Sequence, residues 1–406
     1  MKTRQLSQLF LILLLSYYSA VLNAQVTIGI GQEPMKGALL DLKNNTDGSS
    51  SKGLLMPRVA LTNLSDIRVD ISGVLIGGET DHTGLVVYNV NEDFCSTIPI
   101  HKGIYVWYGD AWQYIGKEDT TPYEVTVYKD QDGNEFKARR FGKAGLWMIE
   151  NLSAKNFASN LGGGSISPHA GGTTATAVAY TYPNAKASAW NTPPETWDIS
   201  QGLLYTFAAA ASGNTSTANQ GQTTEGNIPG VNEVENTGPL GTAPNKYVQG
   251  ICPNGWHLPS DREWNQLEEE IYTNACAYSS SSTSTFAPTS WSTIWNTNFG
   301  PRGSSTTAGH GSAMKSQFAP KNSSYANTNG TSGTSNSIAQ SGFQGILAGY
   351  VAGTAISNYG ANGFFWSSSS NSAANSWHRR LVYDNVKVSR YSLERGSLSS
   401  VRCKHN

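Results

Sequence analysis

"CPNGWHLPSDREW", residues 252–264, places a cysteine, two tryptophans, a turn and a helix start within thirteen positions. Ser260 immediately precedes a run with apolar residues at helical spacing, and Glu263 follows three residues later. In that pattern a serine hydroxyl and a glutamate carboxylate satisfy amides that the first turn of a helix leaves unpaired. With Ser260 as N-cap, Trp264, Leu267 and Ile271 share one face, which becomes the buried one. Glu268, Glu269 and Glu270 then fall elsewhere on the surface as a solvated flank, since adjacent helical positions do not face one another. His257, between Trp256 and Leu258, reads as a packed, hydrogen-bonded histidine, because no nucleophile or carboxylate stands in a recognisable relation to it. The stretch is structural core.

Outward from this segment the chain lacks the short motifs of common enzymes. There is no H-E-x-x-H, C-x-x-C, G-x-S-x-G, P-loop or G-x-G-x-x-G. Composition excludes a nucleic-acid binder: 28 basic residues stand against 29 acidic, and only 14% of positions are charged. Gly, Ser, Thr and Asn are abundant, but 11 tryptophans and 19 tyrosines supply the apolar area that a disordered chain lacks. Lys2 and Arg4 precede the apolar run 9–15, and small residues lead to Ala24, so residues 1–24 read as a secretory signal cleaved before Gln25. No other segment is apolar for long enough to span a bilayer as a helix. The expected location is outside the cytoplasm, secreted or at the cell surface. There the four cysteines, Cys95, Cys252, Cys276 and Cys403, are free to form disulfides in any of three full pairings.

Residues 25–115 read as short strands, with Gly109-Asp110 turning between two aromatic runs. The charged, proline-closed stretch 116–122 is the linker. A second hairpin turns at Asp132-Gly133, and the alanine run in "GLLYTFAAAAS" (202–212) predicts a short helix. The polar stretches 213–246 and 279–340 read as extended surface loops with little to bury. Alternation in "RLVYDNVKV" predicts one strand, with Leu381, Tyr383, Val386 and Val388 turned partly inward across a bulge.

From residue 123 to 406 the ordered blocks "DGNEFKARRFGKAGLWMIENL", "GLLYTFAAAAS", "CPNGWHLPSDREW", "SGFQGILAGYV", "FFWSSSS" and "SVRC" resemble the Fibrobacter succinogenes major paralogous domain, an exported bacterial module. The resemblance implies an α+β, C-type-lectin-like fold. In that fold a cysteine after the first helix bonds to one near the last strand, a role that Cys252 and Cys403 match, with Leu258 at the expected place between them. Cys95 and Cys276 are left to pair or stay free. Residues 25–115, with "VTIGIG", "ALLDL", "KGLLMPRV", "TGLVVYN" and "YVWYGDAW", resemble the amino-terminal assembly unit of Bacteroidetes surface and tail-fibre-like proteins. That resemblance points to a small β-rich domain and a homotrimer. Asp119-Thr120-Thr121 resembles the short O-glycosylation site of those bacteria, with Thr120 as acceptor.

The lectin-like resemblance places ligands on the closing strands and loops. Segment 369–397 is rich in Asn, Ser, Tyr, Trp and Arg, side chains suited to recognition, and resembles the variable region of diversity-generating retroelement targets. Asn371, Asn375, Trp377, His378, Arg380, Tyr391 and Arg395 are the expected binding residues for a glycan or protein ligand. No cofactor or metal site is predicted. Calcium is chemically allowed, but E-P-N, Q-P-D and W-N-D are absent, with Trp264-Asn265-Gln266 and Trp295-Asn296-Thr297 the nearest approaches, and "NEVEN" (232–236) reads as a solvated loop. The leading expectation is a non-enzymatic adhesion or recognition protein; the next is a structural subunit of a surface appendage. Last comes an enzyme, either carbohydrate-processing or like the formylglycine-generating branch that "WHLPSDREW" also resembles. That branch needs an active-site cysteine pair, for which only Cys95 and Cys276 would remain.

Overall fold

The computed structural model describes residues 26–29, 31–93, 95, 98–116, 124–172, 174–211, 247–303, 308–323, 325, 331–336, 342–372 and 374–406. The expected signal segment, Thr120 with most of the linker, and the stretch 213–246 lie outside the described residues.

The strands are β1 (Val26–Gly29), β2 (Leu40–Lys43), β3 (Arg58–Val59), β4 (Val86–Asn89), β5 (Gly103–Trp107), β6 (Trp112–Tyr114), β7 (Thr126–Lys129), β8 (Glu135–Phe141), β9 (Gly145–Met148), β10 (Ser167–Pro168) and β11 (Ala179–Thr181). They continue as β12 (Leu204–Thr206), β13 (Trp256–His257), β14 (Gly300–Arg302), β15 (Tyr350–Ala352), β16 (Ala355–Ser357), β17 (Asn362–Ser370), β18 (Asn375–Val382), β19 (Val388–Glu394), β20 (Leu398–Ser400) and β21 (Lys404–His405). The helices are α1 (Phe207–Ala211), α2 (Asp261–Thr273), α3 (Ala275–Tyr278) and α4 (His310–Met314). Sheet predominates and helices are few.

Two compact units emerge, one comprising residues up to Asn91 with Lys102–Ile115, the other Glu92–His101 with residues from Gly116 onward. In the first, β3-β4-β5-β6 form a sheet over buried Leu61, Ile67, Val87, Tyr105, Trp107 and Trp112. The β5–β6 hairpin turns at the expected dipeptide: Tyr108 N donates to Ala111 O at 2.9 Å, and Gly109 sits at φ +97°, which a residue with a Cβ rarely adopts. β1 and β2 pair in parallel as a separate two-stranded sheet.

The second unit holds a five-stranded sheet, β13-β21-β9-β8-β7, and a ten-stranded one whose main path is β10-β11-β12-β20-β17-β18-β19-β14. Helix α2 packs against β8 of the former and β17 and β18 of the latter. Its capping box forms as expected. The Ser260 hydroxyl accepts from Glu263 N at 3.2 Å, and Ser260 N donates to Glu263 Oε2 at 2.9 Å. Trp264, Leu267 and Ile271 are fully buried with Trp147, Phe343 and Phe365 in one apolar cluster. The other cluster surrounds a disulfide between Cys252 and Cys403, Cα atoms 5.8 Å apart, with Tyr205, Trp256, Leu258 and Trp366. Cys95 and Cys276, left open by the sequence, are also bonded, with Cα atoms 5.5 Å apart.

Three local expectations are corrected. Glu268 and Glu270 are buried, because β14 and β18 bring guanidiniums and α4 an imidazole to Glu268, while Tyr278 and Asn274 donate to Glu270 at 2.9 and 2.8 Å. Only Glu269 of the three is exposed. Residues 381–388 are not one strand: β18 ends at Val382, the chain turns, and β19 returns to pair with it, Leu381 opposite Val388. The alternation was that of two strands meeting at a hairpin. Finally, 279–340 is not all surface loop. It supplies β14, α4 and the buried residues Phe286, Arg302, His310, Met314 and Lys315, whose polar members are accommodated by partners remote in sequence.

Candidate functional site

β17, β18 and β19 form a continuous antiparallel meander, so side chains on β18 alternate between two faces. Arg379, opposite Arg390, turns toward α2. Its Nη1 reaches Asp261 Oδ1 at 2.5 Å, its Nε reaches Glu268 Oε1 at 2.6 Å, and its Nη2 donates to Asn265 Oδ1 at 2.8 Å. Arg390 Nε donates to Asp261 Oδ2 at 2.8 Å. Glu268 also takes Arg302 Nε at 2.9 Å and approaches His310 Nε2 at 3.0 Å. Burial works against the charged Glu268 carboxylate, but Arg302 and Arg379 overcome it and hold its pKa well below the ordinary range. This network ties the sheet to the helix and is closed to solvent.

The opposite face is different. His378 pairs with Tyr391 across the strands, and Arg380 lies between Phe364 and Ser389. Tyr350 and Phe364 rings are 4.4 Å apart, and Phe364 and His378 5.4 Å. The Arg380 guanidinium lies 5.1 Å from the Tyr391 ring centre, and Phe299, 60% exposed, is 4.9 Å from Tyr391. Aromatic groups thus extend from Tyr350 to Phe299 with one guanidinium among them, a composition that provides contact area and cation–π attraction. Trp377, two residues from Arg379 on β18, is buried on the helix side, with Arg390 3.7 Å from its ring centre and Phe299 at 5.8 Å.

Several polar atoms here are buried without a hydrogen-bond partner among the described residues: both ring nitrogens of His378 and Arg380 Nε. Buried polar groups are ordinarily paired, so such a concentration marks a place where a further partner would be stabilising. Burial, then the nearby charges of Arg380 and Arg379, lower the His378 pKa to about 3, so its ring is neutral at physiological pH.

The expected binding residues therefore divide. His378, Arg380 and Tyr391 come together on one face in the middle of β18 and β19, Arg380 and Tyr391 partly open and His378 buried, whereas Trp377 is buried on the other face beside Arg390. Asn371, Asn375 and Arg395 sit at the β17–β18 turn; Asn375 lies five residues along the strand from Arg380, roughly 17 Å at strand rise. There Asn371 N donates to Asn375 O at 3.0 Å, and Asn375 N to Ser372 Oγ at 3.1 Å. Arg395 is buried, its Nε donating to Ser376 Oγ at 3.1 Å and its guanidinium 4.9 Å from the Phe207 ring centre. These three shape the turn. Phe299, Tyr350 and Phe364 complete the aromatic face and were not singled out from sequence. Strand alternation could have indicated Phe364, but nothing local placed Phe299 beside Tyr391.

His257 is packed as expected, its Nε2 2.9 Å from Glu263 Oε1 and its Nδ1 2.8 Å from Asn406 Oδ1. No group of three or more His, Cys, Asp or Glu side chains suited to a metal ion occurs among the described residues. Asn265 and Asn296, from the two near-matches to a calcium motif, bond to each other's segment, Asn265 Nδ2 to Asn296 O at 3.0 Å.

Comparison with known proteins gives two family matches. The Fibrobacter succinogenes major domain matches residues 143–404, more than half of the chain, and a phage tail-like trimerisation region matches residues 27–128. Both are surface or structural domains rather than enzymes. No curated protein and no solved structure shows a significant similarity to the chain.

Proposed function

The chain belongs to the Fibrobacter succinogenes major domain family and carries a phage tail-like trimerisation region, and from this we propose that it is an exported, non-enzymatic recognition protein. In this reading residues 1–24 are a cleaved signal, 116–122 a linker, and residues 25–115 assemble three copies. Residues 123–406 form a C-type-lectin-like domain that binds a glycan or protein at the cell surface. The observation that carries the reading is the aromatic and arginine face of β17–β19, with its buried, unpartnered polar atoms at His378 and Arg380. Arg380 and Tyr391 supply the accessible contacts, while His378 and Phe364 set the shape beneath them. Glycan and protein arrays probed with the full chain test it. Saturable binding that Arg380→Ala and Tyr391→Ala each weaken is expected; binding indifferent to both substitutions would refute the site.

A second reading, a structural subunit of an appendage, is favoured by a different observation. In β1 and β2 the register sets Val26 beside Leu40 and Ile28 beside Leu42, and all four side chains are exposed, Ile28 by 57%. A two-stranded sheet is marginal alone, and an apolar face of this kind is stabilised by a second copy of itself. Sedimentation of the full chain should give a trimer, and Ile28→Lys with Leu42→Lys should shift it toward monomer. Copurification in filaments without affinity for any arrayed ligand would favour the structural role.

A further inference from the structure

A pocket of about 250 Å³ lies in the second unit, away from the strands of the proposed face, lined by Asp132, Asn134, Ser153, Lys155, Asn156 and Trp197. Its geometry begins with the β7–β8 turn. Asp130 accepts from the backbone amides of Asp132 and Asn134, both at 2.9 Å, and from Asn134 Nδ2 at 3.0 Å, which fixes Asp132 and Asn134 at the tip. Asp132 in turn holds the opposite wall, accepting from Lys155 N at 2.5 Å and from Asn156 Nδ2 at 2.8 Å. The Lys155 ammonium lies 5.2 Å from the Tyr182 ring centre, and its hydrogen bond with the Tyr182 hydroxyl raises its pKa, so it stays charged. Trp197 gives its Nε1 proton to Gly202 O at 2.8 Å, and its ring meets Tyr182 edge-on at 5.0 Å. What the indole has left to offer a ligand is π surface. Asn134 Oδ1 and the Ser153 hydroxyl bond to no described residue.

We propose that this pocket is a binding site for a single pyranose ring, independent of the strand face. The volume falls below the roughly 300–1,000 Å³ of sites for drug-sized ligands, which suits one ring. The walls present donors and acceptors together: a carboxylate, an ammonium, two amides and a hydroxyl. Each hydroxyl of a sugar both donates and accepts, so a polyhydroxylated ring uses this mixture. A simple anion would meet Asp132, and a simple cation would meet Lys155. The indole supplies the apolar surface that the C–H face of a pyranose covers. The polar groups are held by one another and by the turn, so little ordering is required on binding.

Saturation-transfer NMR on the full-length protein tests the assignment, with methyl α-D-glucopyranoside, methyl β-D-galactopyranoside and N-acetyl-D-glucosamine as probes and glycine and inorganic phosphate as the zwitterionic and anionic controls. At least one pyranoside should bind saturably in the millimolar range. Trp197→Ala should abolish the signal. Lys155→Met, which leaves the aromatic packing in place, should weaken binding by about tenfold through loss of one charge-assisted hydrogen bond. Arg380→Ala should leave it unchanged. Saturation by none of the three sugars, binding of glycine or phosphate in their place, or sugar binding that survives both pocket variants would overturn the proposal. So would sugar binding lost in Arg380→Ala and kept in Lys155→Met, which would move the ligand to the strand face.

Discussion

Replacing Glu268 with glutamine should destabilise the second unit more than replacing Arg379 with methionine, although both sit at the centre of the same network. The closed cluster contains two carboxylates, Asp261 and Glu268, and three guanidiniums, Arg302, Arg379 and Arg390. His310 is kept neutral by burial, which lowers its pKa. The cluster therefore carries one net positive charge. Arg379→Met brings it to balance: Asp261 keeps Arg390 at 2.7 Å, and Glu268 keeps Arg302. Glu268→Gln raises the imbalance to two and strips Arg302 of its carboxylate. Breaking a buried ion pair from one side costs about 3–5 kcal/mol, and the glutamate variant should lie at the upper end, about 4–5 kcal/mol. The arginine variant, which relieves repulsion as it removes contacts, should cost about 2 kcal/mol. Urea denaturation of the full chain, followed by tryptophan fluorescence, measures both. A Glu268→Gln cost under about 1 kcal/mol, or a larger cost for Arg379→Met, would refute the charge accounting.

Other consequences follow from the same structure. Burial opposes the Glu263 carboxylate, yet His257 and Lys404 bring its pKa down from 4.5 to about 2. Between those values the unfolded chain binds a proton that the folded chain refuses, so this contribution is complete above pH 4.5 and lost as pH falls to about 2. It amounts to about 3 kcal/mol, and unfolding free energies measured across that window should fall less steeply in Glu263→Gln than in the parent. Cys252 and Cys403 are 151 residues apart, and replacing both with alanine should cost about 5 kcal/mol on the chain-entropy account, read as a lower denaturation midpoint. Ser260→Ala, which removes one half of the capping box, should cost about 1 kcal/mol by the same assay, and an unchanged midpoint would mean that the cap contributes nothing.

What could be read from the chain alone was local. Ser260 and Glu263 interact across three residues, so their order suffices to start α2. The hairpins at Gly109-Asp110 and Asp132-Gly133 follow from residues able to take left-handed backbone, as Gly109 and Gly133 do. The Cys252–Cys403 bond was legible only through family resemblance, since four cysteines permit three pairings.

The tertiary structure decided which charges are inside. Glu268 and Glu269 are chemically identical neighbours, as are Arg379 and Arg380, and in each pair one member joins the closed network while the other lies toward solvent or the candidate face. The network that makes the choice joins residues 34 to 129 positions apart. Phe299 likewise meets Tyr391 from far along the chain, and Cys276 meets Cys95 across 181 positions. Local preference acts over a few residues, whereas burying a charge requires a counter-charge at contact distance, and only the folded chain brings that partner from so far along the sequence.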